Sequence, residues 1–252
     1  MSHHMIEITD LQYVYPDGQH AINDISLKLR QGETVGIVGA NGAGKSTLLM
    51  LLLGIIFPCN GNINIANIPV TKKTLPFIRE KIGIVFQDPD DQLFMNTIYD
   101  DVAFGPRNYK LSEDEVEKRV LNALETVGIL HLKDRAPYKL SGGEKRSASI
   151  AAILSMHPDI LIMDEPTTAL DPKSRRCLIN LLRSFDHTKI IATHDLDMVF
   201  ELCERTIILK EGAIIADGLT SELLINVELM EKCSLEVPLS MKSCPKCGFR
   251  NL

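Results

Sequence analysis

Hydrophobic positions along the chain follow two periods, and their alternation predicts the architecture. Ile25, Leu27 and Leu29 alternate with Ser26, Lys28 and Arg30, the period of two that leaves one strand face wet. Ile160-Leu161-Ile162-Met163 is apolar at every position, as in a parallel strand covered on both faces, and Ile190-Ile191-Ala192 reads the same way. Thr206 to Leu209 and Ala213 to Ala216 flank Lys210-Glu211-Gly212, a hairpin pattern. Between these sheet-forming halves, roughly Asp88 to Met156, helix signals dominate. Ser112 followed three residues later by Glu115 predicts a capping box, and Val116, Val120, Leu124 and Val127 then share one helical face until Gly128 stops it. The acids Glu113, Asp114, Glu115 and Glu117 are the solvated, dipole-favoured first turns of that helix. Strand and helix signals alternate with no internal repeat and no long linker, an α/β pattern.

Composition narrows the class. A chain of 252 residues with 45% hydrophobic content is long enough for one large domain or two lobes sharing a core. Its formal net charge of -6 argues against gripping a nucleic acid backbone, which takes a cationic face. The longest apolar run, Leu48 to Phe57, is about half the length a helix needs to cross a bilayer, so no membrane span is expected. The N-terminus lacks a secretory pattern, and His3-His4 ahead of Met5 reads as an expression remnant or an alternative start. Six cysteines, scattered singly except for Cys244 and Cys247, fit a reducing compartment.

The chemistry begins with Gly39-Ala40-Asn41-Gly42-Ala43-Gly44-Lys45-Ser46, which matches the phosphate-binding loop G-x-x-x-x-G-K-[ST]. Val35 to Val38 supplies the strand before it and Thr47 to Leu53 the helix after it, so backbone N–H groups converge where a polyphosphate sits. Lys45 neutralises β/γ oxygens and the Ser46 hydroxyl can ligate Mg²⁺. By chance the pattern arises in on the order of one in a hundred chains this long, so an incidental Gly-rich turn is a poor alternative. After the buried strand ending at Met163, Asp164 stands where a carboxylate holds Mg²⁺ through water, and Glu165 is the natural general base. In isolation, two acids that merely cap the next turn explain this pair equally well.

Leu140-Ser141-Gly142-Gly143-Glu144, opening a helix through Ala148, Ile150 and Ala151, resembles the signature of ABC-family ATPases. With the phosphate loop, Asp164-Glu165, Ala169-Leu170-Asp171 and His194, the resemblance covers nearly the whole chain in the family's order. It implies the ABC ATPase fold: a P-loop NTPase core with a parallel sheet, an antiparallel N-terminal β region and an inserted helical lobe. Residues 1–87 and 157–230 would form the ATP-binding core, 88–156 the lobe and 231–252 a tail. The family pairs two such domains head to tail, so ATP lies between Gly39, Asn41, Gly42, Ala43, Gly44, Lys45, Ser46 and Thr47 of one and Ser141, Gly142 and Gly143 of the other. The same resemblance makes Gln87 the residue that touches Mg²⁺ and the attacking water, His194 the contact to the γ-phosphate, and Asp171 the interface aspartate. It makes Tyr15 the adenine-stacking aromatic, although Tyr13 lies on the same strand face and periodicity does not choose between them.

Two positions depart from the family's pattern. Glu144 replaces the commoner glutamine, and Ser147 stands where many members have arginine, with Arg146 next door. The run Val85 to Phe94, followed by Asp101 to Pro106, resembles ATPases of energy-coupling-factor importers and is most similar to the cobalt- and nickel-uptake branch, with vitamin importers sharing much of it. That implies a transmembrane coupling subunit, a separate substrate-capture membrane protein and a peripheral position on the cytoplasmic face of the cell membrane; because Lys45, Ser141, Glu165 and His194 all stand in one chain, a homodimer with ATP and Mg²⁺ as ligands would have two competent sites, and the net charge speaks against a nucleic acid partner. Rival classes are a soluble ABC protein of translation or repair, for which the Gln87–Leu140 gap is too short to house a long arm, and a metal sensor built on the tail. Cys244 and Cys247 resemble half a zinc knuckle, and an exposed reduced tail is the preferred reading because a closed site takes four ligands.

Overall fold

The computed structural model of the chain describes residues 4–242. Its first elements are β1 (His4–Val14), β2 (His20–Arg30), β3 (Thr34–Val38), α1 (Lys45–Leu52), β4 (Asn60–Ile65), β5 (Ile68–Pro69), α2 (Leu75–Lys81) and β6 (Ile82–Val85). There follow α3 (Ile98–Asn108), α4 (Glu113–Thr126), α5 (Gly142–Leu154), β7 (Ile160–Asp164) and α6 (Pro172–Arg183). The chain continues with β8 (Thr188–Ala192), α7 (Leu196–Leu202), β9 (Arg205–Lys210), β10 (Ala213–Leu219), α8 (Thr220–Leu223) and α9 (Val227–Lys232). Contacts gather the described residues into two compact units, one made of those up to 79 together with those from 187 on, the other of residues 80–186.

The first unit holds an antiparallel sheet in the order β2-β1-β4-β5. Along β2 the expected alternation is present: Ile25, Leu27 and Leu29 are buried while Ser26, Lys28 and Arg30 face out. The same unit carries β3 between two parallel neighbours, β8 (Ile37↔Ala192) and β9 (Ile37↔Ile207). β10 returns antiparallel along β9, so the hairpin read around Lys210-Glu211-Gly212 is real. Gly36 is required in β3, because a Cβ there would lie 2.6 Å from Val199 Cγ1 of the covering α7.

The second unit pairs β6 with β7 in parallel (Ile82↔Ile160, Val85↔Met163) and packs α3, α4 and α5 around their own apolar core, including Val102, Val116, Val120, Leu124 and Ala148. α5 also lies close on β6: a Cβ on Gly83 would come within 2.1 Å of Ile153 Cγ2. The same unit, residues 80–186, also includes α6.

The start of α4 differs from expectation. Ser112 Oγ accepts the Glu115 N–H at 3.4 Å, but the Glu115 carboxylate accepts from Arg119 Nε at 2.7 Å instead of returning to Ser112. A charge-assisted bond one turn on outcompetes a neutral N–H, leaving the box half closed. Gly128, at φ 76, ends the helix as read.

Among the described residues no helix is long and apolar enough to cross a membrane. Cys233, at the end of α9, is buried, while Cys244 and Cys247 lie outside the described residues.

Candidate nucleotide site

In the first unit the chain leaves β3 at Val38 and turns at Gly39. A Cβ on Gly39 would sit 2.5 Å from Leu209 O, and one on Gly44 would sit 2.7 Å from Ala21 O, so both positions exclude any side chain. Ala43 is pinned from both sides, its N–H donating to Ala40 O at 3.1 Å and its carbonyl accepting the Gly212 N–H at 3.1 Å. Gly212 is itself held by Asn23, whose N–H donates to Gly212 O at 2.8 Å and whose Nδ2 donates to Glu211 O at 2.7 Å. The β9–β10 turn therefore props the loop from behind. Asn41 and Gly42, by contrast, are exposed at the loop's tip.

α1 opens at Gly44, left-handed at φ 102, with no side-chain cap and no acid in its first turn. Its orphan N–H groups and positive dipole end are left for an anion. Lys45 is buried, its Nζ donating to Gly39 O at 2.7 Å and Ala40 O at 3.3 Å, which folds the cation over the loop. Ser46 is exposed, whereas Thr47 is buried with its Oγ1 3.0 Å from the Tyr15 hydroxyl. Tyr13 meets Tyr15 edge to face at 5.0 Å. Tyr15 is thus the tyrosine tied to α1, and Tyr13 buttresses it. Thr193 N–H donates to Ile37 O at 3.1 Å, extending the β3–β8 ladder, so His194 and Gly39 leave neighbouring strands at the same end. His194 is exposed there, and Asp195 caps α7 through the Met198 N–H at 2.9 Å.

The second unit carries the other candidates. Asp164 closes β7, and the buried Glu165 takes a left-handed backbone at φ 47, a conformation that costs a non-glycine residue on the order of 1 kcal/mol. The next helix, α6, is capped by Asp171, whose carboxylate accepts from Lys173 N–H, Ser174 N–H and Ser174 Oγ. Those hydrogen bonds, Ser174 Oγ foremost, hold its pKa below the usual carboxylate range. Gln87 lies two residues past β6 with its side chain exposed. A groove of about 390 Å³ brings Gln87, Gly142 and Asp164 together, and a neighbouring cavity of about 610 Å³ gathers Ser141, Gly143 and Asp171.

Ser141 and Glu144 form a complete capping box that the motif reading passed over, although Ser-x-x-Glu is its signal. Ser141 N–H donates to Glu144 Oε2 at 2.7 Å and Ser141 Oγ to the same oxygen at 2.8 Å. The Glu144 pKa is lowered chiefly by the backbone bond from Ser141 and then by its hydroxyl, with Arg135 and His131 adding smaller pulls. The two glycines of this helix tip are unequal. A Cβ on Gly143 would strike Ser174 Oγ at 2.4 Å, whereas one on Gly142 would meet nothing nearer than Ala169 O at 3.9 Å.

Within the second unit, Gln87 and Asp164, two of the donors the family implies for Mg²⁺, line one groove and offer oxygen ligands of the kind that ion takes. One supporting pair carried no motif: Asn23 with Gly212, which reach the loop through the fold.

The ABC transporter family profile matches residues 22–168. A putative ABC transporter ATP-binding protein of Geobacter sulfurreducens is 58% identical over 98% of this chain and 100% of its own length. The energy-coupling factor transporter ATP-binding protein EcfA of Methanothermobacter thermautotrophicus is 46% identical over 93% of this chain and 77% of its own. Among solved structures, cbiO1 from Clostridium perfringens, part of the ABC transporter complex cbiONQ, superposes with a TM-score of 0.83 at 43% identity, covering 91% of this chain and 94% of that one. The ATP-binding cassette MJ0796, dimeric and bound to ADP and Pi after hydrolysis, superposes with a TM-score of 0.77 at 30% identity, covering 86% and 99%. Since the profile spans more than half the chain and these relatives nearly all of it, the chain belongs to the ABC transporter family, as an ATP-hydrolysing subunit of the energy-coupling-factor type.

Proposed function

We propose that two copies of the chain pair head to tail around ATP, and that closure on ATP and opening after hydrolysis drive membrane partners to import a transition metal ion, cobalt or nickel. In this reading the loop from Gly39 to Thr47 and Lys45 hold the phosphates, and Tyr15 stacks on adenine. Ser141, Gly142 and Gly143 of the second copy approach the γ-phosphate, and Asp171 reaches across the interface. The water oxygen bonds the γ-phosphorus as the bond to the bridging oxygen breaks, while Glu165 accepts the water's proton, Gln87 orients the water and His194 contacts the γ-phosphate. Ser46, Asp164 and Gln87 would hold Mg²⁺, which when bound neutralises phosphate charge.

The observation that most supports this reading is the room beside Gly142. Packing within the chain requires glycine at 143 but not at 142, where the nearest atom is 3.9 Å from a Cβ, so close approach by something outside the chain accounts for that glycine. The Tyr15–Thr47 bond favours Tyr15 over Tyr13 as the adenine platform. The dimeric state of MJ0796 and the membership of cbiO1 in a larger complex support pairing and membrane partners.

A transmembrane coupling subunit docks on the helical elements beside Gln87, where Phe94 and Phe104 are exposed and meet edge to face at 5.0 Å. A separate membrane protein captures the substrate, and the chain stays peripheral on the cytoplasmic face. A vitamin cargo is the second reading, since the segment from Val85 to Phe94 resembles vitamin importers almost as well. Metal analysis of the complex isolated from membranes distinguishes the two.

Complementation tests the pairing. Lys45→Ala and Gly142→Asp copies are each inactive alone, the second because a carboxylate repels phosphate. Mixed, they form dimers in which one site keeps both Lys45 and Gly142, so turnover returns; a mixture as inactive as its components overturns the head-to-tail arrangement.

A further inference from the structure

Arg146 sits in α5 five residues beyond the Ser141 cap and is 2% exposed. Its guanidinium makes no ion pair among the described residues. Instead Nη1 donates to Phe86 O at 2.5 Å and Nη2 to Gln87 O at 2.6 Å, while Nε has no hydrogen-bond partner. Burial pushes its pKa down, against a smaller opposing pull from Asp88, yet a guanidinium stays charged in proteins. Enclosing a charge without an ion pair at contact distance costs stability, and simple packing at this position is served better by an apolar side chain.

The fork is matched to its targets, two successive main-chain carbonyls. Segment 86–92 is fastened along the same helix at two further points, Lys145 Nζ to both oxygens of Asp90 at 2.6 and 2.9 Å, and Gln92 Nε2 to Ser149 O at 2.8 Å. Arg146 alone among these grips residue 87 itself. It does so through the carbonyl, which leaves the Gln87 amide exposed on the groove shared with Asp164 and Gly142.

We infer that Arg146 is a positioning residue for hydrolysis: it locks the backbone of Gln87 to the helix that Ser141 opens, so that the amide is held at the groove and moves with the α5 tip as one piece. The inference rests on the proposed role of Gln87. A lysine cannot reproduce the clamp, because a single ammonium on a shorter stem lacks the planar fork that spans two carbonyls.

Steady-state ATP hydrolysis by the purified full chain tests it, with Arg146→Lys, Gln87→Ala and the double variant, each normalised to folded protein. Arg146→Lys is expected to lower kcat about tenfold while KM moves less than about twofold, since orientation and not nucleotide binding is lost. The double variant is expected to turn over no more slowly than Gln87→Ala alone, because both changes remove one function. Wild-type kcat in Arg146→Lys, or losses that multiply in the double variant, would overturn the inference and leave the role of Gln87 standing. Wild-type turnover in Gln87→Ala sinks the role of Gln87 and this inference with it. Hydrogen exchange over residues 86–92 gives a second measurement: Arg146→Lys should speed it, and unchanged exchange refutes the clamp even if the more drastic Arg146→Met fails to fold.

Discussion

The helices α1 and α5 both begin in glycine-rich segments, yet their first turns are prepared in opposite ways. α1 starts from a left-handed glycine with no side-chain cap, no acid in the first turn and a buried lysine folded over the loop. α5 starts from Ser141, whose hydroxyl and N–H both donate to the Glu144 carboxylate. The first helix end is thus a standing anion site, whereas the second already holds an anion of its own. For Ser141 to donate to a phosphate, its hydroxyl must first leave Glu144. This contrast suits a device in which one helix keeps nucleotide bound and the other grips it for part of the cycle.

The largest effect should come from the standing site. Lys45→Ala is expected to lower kcat/KM for ATP by about a hundredfold or more, and titration with a fluorescent nucleotide should show the loss to lie in binding. Retained affinity would mean that α1 and the backbone suffice, and the two helix ends would be less different than drawn. The glycines of α5 come next. Gly143→Ala should destabilise the fold by about 1–3 kcal/mol through its clash with Ser174, while Gly142→Ala should unfold like the parent in urea but hydrolyse ATP markedly more slowly. Equal denaturation losses for the pair would remove the argument that position 142 answers to something beyond the chain.

Glu144→Gln sharpens the contrast further, because it keeps the shape of the cap and removes its charge. The expected outcome is a severalfold lower KM for ATP, in line with about 0.5–1 kcal/mol of relieved repulsion near a helix end. A higher KM would show that the carboxylate helps the helix tip engage. The smallest effect is on acid stability. Glu144 has a depressed pKa when folded, so its contribution is complete above the ordinary glutamate range and disappears as pH falls through the depressed value. Urea unfolding should therefore show the stability difference between the parent and Glu144→Ala, about 1 kcal/mol at neutral pH, begin to shrink below the ordinary glutamate range and vanish only once the pH has passed the depressed value.

Features set by period and glycine spacing were the ones legible in the sequence, whereas the caps of α4 and α5, although equally local, were not. The alternation in β2, the apolar runs 160–163 of β7 and 190–192 of β8, the β9–β10 hairpin and the phosphate loop were all legible because period and glycine spacing are local properties. Ser112 and Ser141 carry the same Ser-x-x-Glu pattern, and only the second closes a full box. Arg119 decides that by taking Glu115, a competition no cap motif encodes. Arg146 was hidden for a similar reason. The sequence marks it only as the neighbour of Ser147, and its burial follows from segment 86–92 lying along α5, a contact made across about 60 positions of chain. The extent of the second unit is likewise a matter of packing, since the β6–β7 ladder and the close approach of α5 to β6 are long-range facts.

Gly212 has a left-handed backbone, and a Cβ there would lie 2.5 Å from Ala21 O. Any residue but glycine would push the turn away from β2 and withdraw the amide that steadies Ala43. A mutagenic screen scored only on nucleotide retention would accordingly return hits at 212 and 23, positions remote in primary order from the loop they serve. Such hits would masquerade as a second binding locus, when they are the masonry behind the first.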